Sequence, residues 1–290
     1  MAQVWRCVGM RWADGSPQLV WDGGRRSALT WGKTVAFGVE EEGGRTCVGA
    51  RGNPCPGRTQ VPARGTGARC EECARLERAH SVAADTMADD PRPYHVYLAW
   101  FGPGLVKVGI TAVERGAARL LEQGAVCFSR LGTGPLMAAR RTEELLRSAL
   151  GVPDRIAYAE KRAVRAWLPR DAGERAAEVV ALHARAVALG GWPESLAREP
   201  CRVVDHAEAF GLSRLSAPVG EVRGLVAGGV VRGELVGAAG PDLHLRTPRG
   251  EVVLDTRLLP GWGLVPAAQR ELSVPVVPLR REAPAQDGLF

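Results

Sequence analysis

The chain has 290 residues, of which 46% are hydrophobic and 24% charged, proportions that are ordinary for a globular protein with room for two or three compact units. No apolar run reaches the roughly 20 residues of a membrane span, and the first residues lack the basic and apolar regions of an export signal. These features argue against a membrane protein and predict a cytoplasmic one, in which cysteines are more often thiols or metal ligands than disulfides.

The net charge of +6 favours an anionic partner. Of the 38 basic residues three are lysines (Lys33, Lys107 and Lys161), so 35 are arginines. This excess of arginine is spread along the chain without a basic run, which is more typical of a general compositional preference than of a defined binding surface. Because the chain uses arginine almost everywhere else, the lysine at position 107 is notable.

Residues 1–46 contain three short β-like runs separated by turn residues, which predict an N-terminal β segment. The segment holds four tryptophans: Trp5, Trp12, Trp21 and Trp31. We expect them to fill a small β core, because one aromatic side chain buries a large area. A platform for stacking nucleic-acid bases is the alternative. Cys7 has no other cysteine near it and is expected to be a small buried hydrophobic residue.

The segment 47–80 carries a constellation of four cysteines: Cys47, Cys55, Cys70 and Cys73. The spacing C-E-E-C lets two thiolates reach one tetrahedral ion. The loop between the two halves is rich in Gly, Pro and Arg and has little that could form a core, and a bound metal would close such a loop at little cost. We therefore predict a structural Zn²⁺ site of the ribbon type, with His80 as a substitute ligand. A redox pair of Cys70 and Cys73 is the alternative.

Residues 94–195 begin with Y-H-V-Y-L-A-W-F and L-V-K-V-G-I-T, joined by Gly-Pro-Gly, which predict a β-hairpin. Two helix-like segments follow, E-R-G-A-A-R-L-L-E-Q and A-A-R-R-T-E-E-L-L-R-S-A-L. The hairpin would place Tyr97 and Lys107 on neighbouring strands. His95 would face the same side of its strand as Tyr97 and is a candidate general base, although a strand histidine is more often a polar neighbour.

The V-Y-L and K-V-G-I-T runs resemble the two-strand signature of the GIY-YIG nuclease superfamily, over Tyr94 to about Leu150. In this resemblance Tyr97 matches the tyrosine of the first half-motif, Arg119 the arginine of the first helix, and Glu143 the glutamate of the later helix. Lys107 stands where a second tyrosine is usual. The layout, with cysteines before the hairpin and R-L-L-E-Q-G-A after it, also resembles a bacterial protein family of unknown function.

The resemblance implies an enzyme that binds one Mg²⁺ or Mn²⁺ at Glu143 and cuts a nucleic-acid backbone. The implied catalytic residues are Tyr97, Lys107, Arg119 and Glu143. Since Lys107 departs from the pattern, a nucleic-acid-binding or regulatory protein that does not cut is the alternative, and in both cases the partner is DNA or RNA. A small phosphorylated metabolite is a third possibility, but the sequence has no P-loop or dinucleotide fingerprint to support it.

After Leu150, R-I-A-Y-A-E-K-R-A-V-R-A-W-L predicts a helix that ends before Pro169. The D-x-x-E pattern of Asp171 and Glu174 is typical of a helix N-terminus, and the helix that it begins is expected to end at Gly190-Gly191.

Residues 200–281 read as strands punctuated by glycine, which predict a β-rich domain curved into a small barrel or half-barrel. The N-terminal strands could complete this unit. Residues 282–290 are expected to be a disordered tail. The predicted fold class is therefore α+β, with a GIY-YIG-like sheet flanked by helices, a four-cysteine insert and a barrel-like β unit.

Overall fold

A computed structural model of the chain describes residues 3–79, 90–267 and 271–279. His80 and the predicted tail 282–290 lie outside these residues. The described chain is a mixed α+β structure with more strand than helix, and it divides into two compact units. The first unit contains the described residues up to Met87 together with Arg214–Leu279, and the second contains those of Ala88–Ser213.

The described elements, in chain order, begin with β1 (Trp5–Ala13), β2 (Ser16–Trp21), β3 (Arg26–Ala28), β4 (Thr34–Val39), α1 (Glu71–Arg78), β5 (Pro93–Trp100), β6 (Val106–Ala112), α2 (Ala118–Gln123) and β7 (Cys127–Pro135). They continue with α3 (Leu136–Leu150), α4 (Tyr158–Arg165), α5 (Ala172–Val187), β8 (Ala197–Arg198), β9 (Val203–Asp205) and β10 (Gly220–Val222). The last are β11 (Val230–Ala239), β12 (Asp242–Thr247), β13 (Gly250–Asp255), β14 (Gly263–Val265) and β15 (Val276–Val277).

In the first unit, strands from the two ends of the chain share one sheet, in the order β15-β10-β13-β12-β11-β4-β14-β1-β2-β3. Strand β4 lies between β11 and β14 and is antiparallel to both. The N-terminal and C-terminal strands thus belong to one sheet, an arrangement that the sequence left open. Buried aliphatic side chains of the central strands form its core, among them Val231, Leu235, Leu243, Leu245 and Leu254.

This sheet is open among the described residues, so of the two forms that were expected, a small barrel or a half-barrel, the closed barrel is wrong. Strands β3 and β15 lie at its two ends, and they pair with β2 and β10 instead of with each other. The glycines accompany local irregularities instead of closure, because the register shifts between Cys7 and Gly9 in β1 and between Leu235 and Gly237 in β11. Edge strands as short as these offer little backbone for further pairing.

The four N-terminal tryptophans do not share one core. Trp12 is buried, and its indole N–H donates to the Gly240 carbonyl oxygen at 3.0 Å, as the core prediction requires. Trp5 is 36% exposed, and Trp21 and Trp31 are partly exposed, so the prediction is wrong for Trp5. Trp5 is the first residue of β1 and contacts Trp21 near the edge of the sheet. Cys7 is buried, as predicted.

The second unit contains a smaller sheet in the order β6-β5-β7-β8, with β9 also paired to β7. The antiparallel pairing of β5 with β6 confirms the predicted hairpin. Strand β7 was not predicted, because glycines interrupt its β pattern. These glycines are needed where another segment approaches the strand: a Cβ at Gly132 or Gly134 would lie 2.7 Å from the carbonyl oxygen of Ala197 or Ser195.

Helices α3 and α5 both pack against the strands of the smaller sheet. Asp171 caps α5 by accepting a hydrogen bond from the Glu174 backbone N–H at 2.9 Å, which confirms the predicted capping pattern. Helix α4 covers only part of its predicted span. In the part of the chain that the structure describes, every helix is too short or too polar to cross a membrane.

Candidate functional site

The four cysteines of segment 47–73 come together at the start of α1. Cys47 and Cys55 flank a tight turn in which Ala50 and Asn53 exchange backbone hydrogen bonds of 3.0 and 2.9 Å. Cys70 is the N-cap residue of α1, and Cys73 lies in its first turn. The four Sγ atoms all lie within 4.8 Å of one another.

Gly49 makes this turn possible. Its φ is +79°, and a Cβ there would collide with the Asn53 carbonyl oxygen, so a side chain at position 49 would force the turn open. Arg69 fastens the turn to α1, because its Nε donates to the Gly49 carbonyl oxygen at 2.9 Å and its guanidinium lies 3.2 Å from Glu77. The cysteines are therefore positioned by protein contacts as well as by any bound ion.

Backbone groups form hydrogen bonds with two of the four sulfur atoms, those of Cys47 and Cys55. Cys47 Sγ accepts N–H hydrogen bonds from Gly49 at 3.3 Å and from Cys70 at 3.2 Å. A backbone hydrogen bond at Thr59 is the largest contribution that lowers the pKa of Cys55, to about 6. Burial, with the neighbouring thiols, raises the pKa of Cys73 to about 12. Since metals bind thiolates, metal binding here would displace a proton from Cys73.

This donor set suits a metal ion such as zinc. Four thiolates around one Zn²⁺, each about 2.3 Å from the ion, lie roughly 3.8 Å apart. Separations of up to 4.8 Å therefore need only a small inward movement of the sulfur atoms. The four cysteines could thus bind a metal, and four protein ligands would leave no coordination position for a substrate.

Tyr97 lies on β5 and is only 1% exposed. Its cross-strand partner is Gly109, and the phenol lies over this glycine so closely that an added Cβ would be 2.5 Å from Tyr97 Oη. Gln123 Nε2 donates a hydrogen bond to Tyr97 Oη at 3.1 Å. Burial raises the pKa of Tyr97, and the Gln123 hydrogen bond and the Arg119 charge oppose that rise. The phenol therefore stays protonated at neutral pH.

Lys107 extends from β6 into the same region. Its Nζ lies 5.9 Å from the centre of the Tyr97 ring and donates to the Asp154 carbonyl oxygen at 3.1 Å. Burial lowers the pKa of Lys107 to about 8; the Arg119 charge acts in the same direction, and those of Glu143 and Asp154 oppose it. An appreciable fraction of the side chain is thus a neutral amine in mildly alkaline solution.

Arg119 and Glu143 reach this region from two different helices. Arg119 is an exposed residue of α2, and Glu143 is a half-buried residue of α3. The charges of both residues contribute to the pKa of Tyr97 and of Lys107, so Arg119 and Glu143 lie within electrostatic range of both side chains. Burial, with the Asp154 carboxylate, raises the pKa of Glu143. The structure therefore brings the four predicted residues into one neighbourhood.

His95 belongs to a separate hydrogen-bonded row. Its Nδ1 lies 2.6 Å from Thr133 Oγ1, which donates to Glu199 Oε1 at 2.6 Å. Burial and the Arg130 charge lower its pKa, and the carboxylate of Glu199 opposes this. These contacts favour the interpretation of His95 as a polar neighbour over that of a general base.

Sequence reasoning missed three residues of this region: Gln123, Asp154 and Lys161. Gln123 follows Arg119 by one helical turn on α2, which is a usable signal. Asp154 follows a proline in a loop and belongs to no pattern. Lys161 is buried, donates to the Gln123 carbonyl oxygen at 3.1 Å and lies 3.8 Å from the centre of the Phe101 ring. Lys161 could have been noticed in the sequence because it is one of only three lysines.

The fold and the cysteine cluster define a mixed α+β protein with a potential metal centre. A family model described as "Protein of unknown function (DUF2797)" matches residues 32–264, and the chain belongs to this family. The matched residues include the four cysteines of the cluster, and also Tyr97, Lys107, Arg119 and Glu143. No curated protein and no solved structure matches the chain.

Proposed function

We propose that the second unit is a divalent-metal-dependent phosphodiesterase that cuts DNA or RNA, like the GIY-YIG enzymes that its central segment resembles. The observation that carries this proposal is the gathering of Tyr97, Lys107, Arg119 and Glu143 from β5, β6, α2 and α3. The two cationic groups suit the negatively charged phosphodiester, and the carboxylate suits one divalent cation.

Arg119 is suited to hold the non-bridging phosphate oxygens, because its planar guanidinium can donate two parallel hydrogen bonds. Among the described residues Arg119 forms no ion pair. Arg115, a turn earlier, already pairs with Glu122 at 2.6 Å. Of the two arginines, Arg119 is therefore the one available to a substrate.

Lys107 is the best candidate for the general base. In hydrolysis water attacks phosphorus, a new P–O bond forms, and the bond to the leaving oxygen breaks. The proton of the attacking water would pass to the Lys107 amine, and the leaving oxygen would take a proton from solvent. Tyr97 is less suited to this role, because burial raises its pKa. Its ring instead lies beside the Lys107 ammonium, at 5.9 Å from Nζ to the ring centre.

Glu143 is the residue that would hold Mg²⁺ or Mn²⁺, and its half-buried carboxylate fits a hard cation that prefers oxygen ligands. Burial and, after it, the Asp154 carboxylate raise the pKa of Glu143, and a cation would offset the repulsion between the two carboxylates. When bound, the cation would polarise the phosphate and stabilise the leaving oxygen.

The cysteine cluster would serve the protein in another way. We propose that it holds one structural Zn²⁺ per chain through Cys47, Cys55, Cys70 and Cys73. The support is the mutual proximity of the sulfur atoms and the N–H donors to Cys47.

The test of the enzyme is cleavage of labelled single-stranded and double-stranded DNA and RNA with Mg²⁺ or Mn²⁺. We expect Glu143→Gln to lower the rate by about 100-fold or more, as removal of a principal electrostatic group does. Glu144→Gln is the matched control, because Glu144 is the exposed neighbour and pairs with Arg147. Equal rates in the two variants would refute the assignment.

Arg119→Lys with Arg115→Lys as its control tests the phosphate contact in the same assay. Lysine keeps the charge but loses the planar fork, so only the Arg119 variant should cleave more slowly.

A second candidate is a nucleic-acid-binding or regulatory protein that does not cut. The near-complete burial of Tyr97 favours it. Binding of nucleic acid that weakens steeply with salt, without cleavage under any metal, would select this candidate.

A further inference from the structure

The first unit contains a pocket that lies apart from the residues around Tyr97 and from the cysteine cluster. It has a volume of about 850 Å³, within the range of roughly 300–1,000 Å³ that is typical of ligand sites. Its lining comes from the start of β1, the end of β2, the turn between β2 and β3, the edge strand β3 and Glu40 just after β4. All of these residues lie within the first 40 of the chain, so the site is complete in one unit.

Two tryptophans form the apolar part of the pocket. Trp5 is 36% exposed and Trp21 is partly exposed, and their ring centres lie 6.4 Å apart at an angle of 54°. The Trp21 indole N–H donates to Ser27 Oγ at 2.8 Å, which fixes the ring and uses its donor. Trp21 therefore offers a ligand its aromatic face, and Trp5 offers an exposed ring beside it. Val4, which also lines the pocket, is exposed and extends the apolar surface.

Three arginines line the same pocket: Arg6, Arg25 and Arg26. Arg6 is 3.5 Å from the Thr46 hydroxyl, a contact with a neutral group. In the described parts of the chain, Arg25 and Arg26 have neither an ion pair nor a side-chain hydrogen bond. Their charges are thus available to an anion, and Asp22 and Glu40 add carboxylates that can accept hydrogen bonds from amino groups.

We propose that this pocket binds one or two unpaired nucleotides of a single-stranded nucleic acid. A base would stack on the Trp5 face beside Trp21, and the flanking phosphates would contact Arg25 and Arg26. Exposed aromatic faces together with free guanidinium groups match the two components of such ligands, and the three arginines disfavour a purely apolar partner. Asp22 and Glu40 could accept hydrogen bonds from a base amino group such as that of cytosine.

The inference does not rest on the proposed phosphodiesterase, and the experiment separates the two. Fluorescein-labelled 12-residue oligonucleotides of DNA and RNA are titrated with full-length Glu143→Gln protein, and anisotropy gives the affinity. Neither divalent cations nor chelators are added, because a chelator would remove metal from the cysteine cluster. A duplex of the same sequence and adenosine monophosphate serve as competitors, and both are expected to compete at least tenfold more weakly than the single strand.

In this background Trp5→Ala should weaken binding roughly 5- to 150-fold, the range for loss of one base–aromatic stack. Trp167→Ala, which removes a tryptophan that is exposed in the second unit, is the control and should change affinity less than twofold. Trp5→Phe keeps an aromatic face and should restore most of the affinity, and the arginine variants below carry the test if the alanine variant does not fold. Equal affinities for Trp5→Ala and Trp167→Ala would overturn the proposal.

The arginines are tested by the salt dependence of the same titration. The double variant Arg25→Gln, Arg26→Gln should reduce the magnitude of the slope of log K against log salt by about 1.4. Each lost phosphate contact on a single strand contributes about 0.7. Arg223→Gln with Arg249→Gln, two exposed arginines elsewhere in the first unit, should leave the slope unchanged. No binding of any oligonucleotide, or a dimer that Trp5→Ala dissociates, would overturn the proposal.

Discussion

The cysteine cluster and the region around Tyr97 differ in how completely the protein satisfies the groups that it brings together. In the cluster, four soft donors lie within 4.8 Å, and two backbone N–H groups donate to Cys47 Sγ. With four protein ligands, such a site has no coordination position for a substrate. Around Tyr97, two cationic residues and two carboxylates lie close together, with one cation half-buried and the other exposed.

This difference matches what the two proposals require of a structural metal centre and of a reactive site. A structural centre has matched donors in a closed shell, and its disruption costs stability. A reactive region keeps opposing charges and perturbed pKa values, which the fold tolerates at some cost to stability. Around Tyr97, burial lowers the pKa of Lys107 and raises the pKa of Glu143, and each shift favours the neutral form of the side chain.

The largest effect should come from opening the cysteine shell. We expect Cys73→Ser to reduce the zinc content from one ion per chain to near zero and to destabilise the first unit by several kcal/mol. That loss is a fraction of the roughly 10–16 kcal/mol that structural zinc contributes in zinc-finger peptides. Elemental analysis and thermal unfolding measure the two outcomes. Cys201→Ser alters an exposed cysteine outside the cluster and should change neither, whereas full zinc content in Cys73→Ser would show that the cluster is not the metal centre.

A smaller effect should follow from filling the space beneath Tyr97. A Cβ at Gly109 would lie 2.5 Å from Tyr97 Oη and 2.6 Å from Cζ, so Gly109→Ala must displace a buried ring. Overpacking of this kind costs about 1–3 kcal/mol, which denaturant unfolding can measure.

Gly190→Ala is the matched control for that substitution, because a Cβ at Gly190 meets no atom within 4 Å. Its effect should stay within about 0.5 kcal/mol. If the two variants unfold alike, the packing of Tyr97 over Gly109 does not hold in solution.

The smallest effect concerns the charge of Lys107. Its folded pKa of about 8 lies below the ordinary value of 10.5, so between these pH values the unfolded chain binds more protons than the folded one. Folding stability therefore rises with pH in this window, and below it the charged ammonium is a burden on the fold. Lys107→Met should be more stable than the wild type at pH 7 and should lose that advantage by about pH 10.

Chemical unfolding at several pH values tests this. The difference in unfolding free energy between variant and wild type removes the contribution of the other groups that titrate. Lys33→Met removes an exposed lysine and should show no such trend. If cleavage occurs, its rate in the wild type should also rise through pH 8, as expected for a base that must lose its proton. A rate that stays flat there would assign Lys107 to phosphate binding.

Much of the local structure was predictable from the sequence. The hairpin of β5 and β6, the Asp171 cap and the burial of Cys7 follow from alternation, turn residues and capping patterns, which act over a few residues. The cysteine spacing likewise predicted which side chains could share an ion, because two residues between thiols suffice to bring both to one point.

Other features depended on contacts between distant segments. The sheet that joins β4 to β11 and β14, the unpredicted strand β7 and the exposure of Trp5 arise from which segments pack together. The same holds for the proximity of Glu143 to Lys107 and for the pocket at Trp5 and Arg25. Local sequence determines what a segment can form, whereas burial, pKa and open edges depend on what lies against it. Only the tertiary structure decides that, since these contacts join residues far apart in the chain.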